Sequence, residues 1–190
     1  MQLGVMKLVA VGLTVAGGVA VSSGVMWQAS SAAFTAQTGN SANSWAAGTV
    51  ALSDDDSGTA MFTATNLRPG STGEKCITVT YTGSLSASVR MYSSAVAGGL
   101  TPYVDLVIEE GSGGGSGSCT GFVSSGTAYT GTLAAFGSTK TDFASGAGSF
   151  APSGPAQAET YHISYTVNAT TPDSAQGAAA AATFTWEAAS

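Results

Sequence analysis

Charge is scarce in this chain. Asp, Glu, Lys and Arg make up only 8% of its residues, against about 25% in a typical soluble domain. Lys and Arg number 5 and Asp and Glu 11, a net charge of −6. So thin a basic complement excludes nucleic acid as a partner, because that binding rests on Lys and Arg contacting phosphates. It argues equally against docking on anionic membrane surfaces. Histidine occurs once, at His162, and cysteine twice, at Cys76 and Cys119. One His and two Cys leave a zinc shell incomplete. His-Glu-x-x-His is absent, so zincin chemistry has no ligands. No Gly-x-Ser-x-Gly elbow presents a nucleophile to His162. An enzyme is therefore not expected, and neither a metal nor any other cofactor is assigned.

Long apolar runs are also lacking, with one exception. Leu8 to Val21 is apolar and follows Lys7, the only charge before Asp54. Its length suits the h-region of a secretory signal, about 7–15 residues, and falls short of the 18–20 that span a bilayer. Ser30-Ser31-Ala32-Ala33 supplies a small-x-small cleavage pattern, with the cut expected after Ala32 and Ala33 as the alternative. An uncleaved N-terminal anchor is the competing reading. The chain ends Phe184-Thr185-Trp186-Glu187-Ala188-Ala189-Ser190, without a hydrophobic tail. The expectation is a signal peptide over residues 1–32 and a secreted chain with no stable membrane span after cleavage. What remains is one domain's worth of chain, enough to bury about 68–70% of its unfolded surface.

Ser, Thr, Gly and Ala stand where charge is missing. Such a weakly repulsive surface suits proteins that pack against copies of themselves, although it fits equally a general compositional bias. In an oxidising compartment an even cysteine count points to a Cys76–Cys119 disulfide. Closing a loop of about forty residues contributes about 4 kcal/mol through chain entropy.

Period-two alternation marks strands. Val50 and Leu52 share a face. Met61, Thr63 and Thr65 alternate with Phe62 and Ala64. Ile77, Val79 and Tyr81 form another face, and Val89 and Met91 flank Arg90. Val104, Leu106 and Ile108 alternate with Asp105 and Glu109. Tyr161, Ile163, Tyr165 and Val167 follow, then Phe184 and Trp186. Turns punctuate these runs. Asp54-Asp55-Asp56-Ser57-Gly58 reads as a solvated acidic turn, with calcium as the lesser reading because the spacing departs from an EF-hand. Arg68-Pro69-Gly70 places Pro and Gly where a β-turn uses them. Gly111 to Ser118 reads as a flexible loop, and Glu109-Glu110 as a charged strand end that discourages edge pairing. Ala178 to Ala182 has helix propensity, but its neighbours favour entry into a strand. The stretch Gly121 to Pro155 is poorly patterned and is assigned one strand, Tyr129 to Phe136, with loops. His162 falls on the polar face of its strand, where a surface role outweighs that of a general base. Asn168-Ala169-Thr170 matches a glycosylation sequon. The fold expected is all-β, an antiparallel two-sheet sandwich, jelly-roll-like, of 7–9 strands.

Ala33-Phe34, Ala47-Gly48-Thr49-Val50-Ala51-Leu52-Ser53, Asn66-Leu67-Arg68-Pro69-Gly70 and Tyr81-Thr82-Gly83-Ser84-Leu85 follow one another in this order. This succession resembles the TasA/camelysin family of secreted bacterial proteins, as does the ending Ser174-Ala175-Gln176-Gly177 with Phe184-Thr185-Trp186. Thr82 stands where that family usually has Asn. The resemblance implies a jelly-roll domain over residues 47–190 and export through a dedicated signal peptidase. It also implies a head-to-tail homopolymer in a biofilm matrix or at the cell surface, alongside other matrix proteins. An N-terminal donor segment over residues 33–46 would carry the assembly, with Ala33, Phe34, Thr35 and Ala36 as the added strand and Trp45 nearby. A monomeric cell-surface adhesion module is the second hypothesis. A secreted camelysin-like protease acting through His162 is the third.

Overall fold

The computed structural model describes residues 35–39 by their backbone and residues 50–58, 60–62 and 66–190 fully. The chain divides into two units, Met1–Ala33 and Phe34–Ser190, and the description below concerns the second. The signal-peptide segment, Ala33, Phe34, Trp45 and the expected strand residues 63–65 lie outside the described residues.

Among the described residues, eight strands form two antiparallel sheets. The three-stranded sheet runs β1 (Thr35–Gly39), β8 (Ala181–Ala189), β4 (Ser88–Ala97). The five-stranded sheet runs β2 (Leu52–Asp54), β3 (Thr72–Tyr81), β7 (Gln157–Val167), β5 (Val104–Ser112), β6 (Val123–Thr132). This is the all-β two-sheet sandwich that alternation indicated. One face of each strand is apolar because side chains alternate, and the two apolar faces meet. Ile77, Val79 and Tyr81 from β3, Ile108 from β5, Tyr161 and Ile163 from β7, Val89 and Met91 from β4 and Trp186 from β8 are all fully buried between the sheets. Trp186 packs against Tyr161 with ring centroids 5.5 Å apart. Among the described residues no helix is long and apolar enough to cross a membrane.

The turn after Arg68 is built as its sequence indicated. The Ser71 amide donates to the Arg68 carbonyl at 2.9 Å, and Gly70 adopts φ +83°, a conformation only glycine takes cheaply. Ala181 opens β8, so the alanine run does enter a strand.

Three readings of the chain's elements need correction. The stretch expected to hold a strand over Tyr129–Phe136 instead ends β6 at Thr132 and begins a short helix, α1 (Leu133–Thr139). Thr132 caps that helix, its hydroxyl accepting from the Ala135 amide at 3.1 Å. Leu133 and Phe136 turn inward, Phe136 against Tyr129 and Phe184. Met61 lies in a bend and Phe62 in irregular chain rather than in a strand, although Met61 is still buried. Finally, Gly111–Ser118 is not a free linker: Gly111 and Ser112 belong to β5, and the rest is pinned as described below.

The sheet edges are treated unequally. β6 departs from register with β5 twice, leaving Ala128 and Ser125 without ladder partners, and such bulges blunt an edge. β2 has three residues and ends in the acidic turn. The open side of β4 is covered by residues 140–152: Ala87, Val89, Met91 and Ser93 donate to the carbonyls of Pro152, Phe150, Ala147 and Lys140 at 2.8–2.9 Å. The outer edge of β8 is covered by β1.

Candidate functional site

The β8 edge is the place where the N-terminal segment meets the sandwich. Thr35 pairs with Ala189, Ala36 with Ala188, Gln37 with Glu187, Thr38 with Trp186 and Gly39 with Thr185. Two of the four residues expected to form the donor strand, Thr35 and Ala36, thus begin β1, and the strand lies on a neighbour within the same chain. The other side of β8 is paired along its whole length with β4.

A second cluster sits on the outer face of the five-stranded sheet. Cys76 on β3 and His162 on β7 are direct cross-strand partners, as are Glu109 on β5 and His162. The β5–β6 loop folds across this face. Cys119 in that loop is joined to Cys76 by the expected disulfide, with Cα atoms 5.2 Å apart. Phe122 packs on the imidazole, ring centroids 5.1 Å apart. The loop is clamped again by Asp55. Its Oδ2 accepts from the Ser116 amide at 2.7 Å and its Oδ1 from the Thr78 amide at 2.9 Å. The acidic turn is thus a brace between β3 and the loop rather than a merely solvated hairpin. Asp56, in the same turn, is buried, accepts from the Gly58 amide at 2.7 Å, and has its carboxyl pushed up to about 6, chiefly by burial.

His162 does not behave as a lone surface residue. Nδ1 lies 3.2 Å from Glu109 Oε2 and Nε2 lies 3.0 Å from Glu74 Oε2. Hydrogen bonds from Ser124 and then His162 hold the Glu109 carboxyl below its ordinary value. Both ring nitrogens thus face glutamate carboxylates.

Glu110 points the other way, into the core, and is almost wholly buried. Its carboxylate accepts from the Ser149 amide at 2.7 and 2.8 Å, the Ser149 hydroxyl at 2.7 Å and the Phe150 amide at 3.3 Å. Arg90 donates to the adjoining Gly148 carbonyl. Glu110 is therefore an anchor for the segment that covers β4, not a charge that deters pairing. The sequence carried a signal for this: Glu110 continues the inward series Val104, Leu106, Ile108. Asn168, in the sequon, spends its side chain locally, donating to Asp105 at 3.2 Å and accepting from the Thr170 amide at 2.8 Å.

No protein-family model and no curated protein matches the chain.

Proposed function

We propose that this chain is an extracellular structural subunit that assembles head to tail with its own copies by handing its N-terminal strand to a neighbour. The observation that carries this reading is the place of β1, a five-residue strand on the outer edge of β8, while the other edges are short, bulged or covered. A strand held at a sheet edge gains the same backbone hydrogen bonds from the equivalent edge of another copy. Donor and acceptor are different parts of the subunit, so the contact is heterologous and extends without closing. The disulfide and the sparse surface charge support an extracellular setting. This is the role that the TasA/camelysin resemblance implies, with signal peptidase as a partner during export and other matrix proteins as companions.

The test is negative-stain microscopy of two chains, one beginning at Ala33 and one beginning at Ser44. Filaments from the longer chain alone support strand donation. Filaments of equal length from both remove it.

The register of β1 on its own β8 favours a second reading, a monomeric cell-surface binding module in which the edge is permanently filled. It predicts that the longer chain sediments as a monomer at high concentration and forms no filaments.

A further inference from the structure

Strand exchange makes no use of the cluster on the outer sheet face. There the two sulfurs of Cys76 and Cys119 and a ring nitrogen of His162 all lie within 4.8 Å of one another. Glu74 is two residues before Cys76, hence on the same face of β3, and its carboxylate is 3.0 Å from His162 Nε2. A cavity of about 520 Å³ opens over the group, lined among others by Glu74, Cys76, Cys119 and His162. The sequence alone shows an incomplete zinc shell; the strand register brings a carboxylate, Glu74, beside the imidazole.

We propose that, once the Cys76–Cys119 bond is reduced, Cys76, Cys119 and His162 bind a single zinc-type divalent cation, with the Glu74 carboxylate as the fourth ligand. Two thiolates, one imidazole and one carboxylate form a donor set that such borderline-soft ions take in tetrahedral geometry. Sulfurs sharing a tetrahedral ion with bonds of about 2.3 Å stand about 3.8 Å apart. With Cα atoms 5.2 Å apart, side-chain rotation alone provides that separation. His162 Nε2 already faces Glu74 and Nδ1 faces Glu109, so ligation through Nε2 beside Glu74 leaves Nδ1 with Glu109 as its carboxylate partner. That arrangement fixes the tautomer and orientation of a ligating imidazole.

The redox step balances simply. A low-molecular-weight thiol attacks one sulfur, a second thiol releases the mixed disulfide, and two electrons pass to the protein as the small thiols leave oxidised. The two protein thiols each give a proton to water when the cation binds. Disulfide and metal are then mutually exclusive occupants of one place.

Cobalt(II) reports thiolate and tetrahedral ligation by its absorption. The full chain, reduced with a water-soluble phosphine under nitrogen, is titrated with cobalt beside the oxidised chain and reduced His162→Ala and Glu109→Gln, with circular dichroism recorded throughout. The reduced chain is expected to take up one cobalt with a thiolate charge-transfer band, and the oxidised chain none. His162→Ala loses the tetrahedral spectrum, and Glu109→Gln weakens binding about 10–100-fold. Equal uptake by oxidised and reduced chains overturns the proposal, and so does a reduced chain that takes up none. A spectrum unmoved by His162→Ala also overturns it. So does a reduced chain that loses its β signal and does not regain it with cobalt.

Discussion

Neighbouring carboxylates here have opposite duties, and the difference is a matter of which way each points. Glu109 faces outward to His162, while Glu110 faces inward to the Ser149 and Phe150 amides. Alternation along β5 contains that answer, but two adjacent glutamates beside a glycine run resemble a solvated strand end. The partners of His162 were not legible, because Glu74, Cys76 and Glu109 reach it only through strand register, which no local pattern encodes. Asp56 carries a prediction at this scale. Its carboxyl titrates near 3.8 in the unfolded chain and about 6 when folded. Between those values the folded chain holds the proton and the unfolded chain has lost it, so stability falls as pH rises. The contribution is fully present below about pH 4 and is lost as pH climbs through about 6. Asp56→Asn mimics the protonated form at every pH. Its melting temperature should match the parent at pH 4 and exceed it at pH 8, by the equivalent of about 1–2 kcal/mol after solvent screening. Parallel melting curves at the two pH values would contradict this.

Among the elements, β3, β4, β5, β7 and β8 announced themselves, because each buries an alternating apolar face on the opposite sheet. β6 did not: it is an edge strand of Ser, Thr and Gly, mostly exposed, with no buried face to write a pattern. The helix α1 was hidden for a related reason. It has seven residues, too few to display a 3.6-residue period, and its only clear signal is the Thr132 cap. The segment 140–152 is the element whose removal tells most. It has no regular structure, yet it closes β4, and Glu110 holds it there. Glu110→Ala leaves the Ser149 and Phe150 amides without their acceptor, a loss of about 1–3 kcal/mol. The expected result is a lower melting temperature together with concentration-dependent light scattering, as the β4 edge opens to other chains. Glu110→Gln keeps an acceptor and should sit between the two. A variant that melts lower without scattering would show that the segment stays in place by its backbone bonds alone.

For the whole molecule, the sandwich was readable from composition and alternation. The use made of its edges was not, because pairing at an edge depends on what lies beside it in space. The five-stranded sheet ends in a bulged strand on one side and a three-residue strand on the other. In the three-stranded sheet one margin is sealed by the chain's own loop and the other by the amino-terminal strand. On the proposed strand donation, growth runs along one direction only. A subunit stripped of residues 33–43 still offers its β8 edge but has nothing to hand onward. Mixed in small proportion with intact subunits, it should stop elongation wherever it docks, and mean filament length should fall steeply with its mole fraction. On the proposed function such a truncated chain is a terminator, and a cell that trimmed a minority of its subunits would set the length of the polymer without altering the supply.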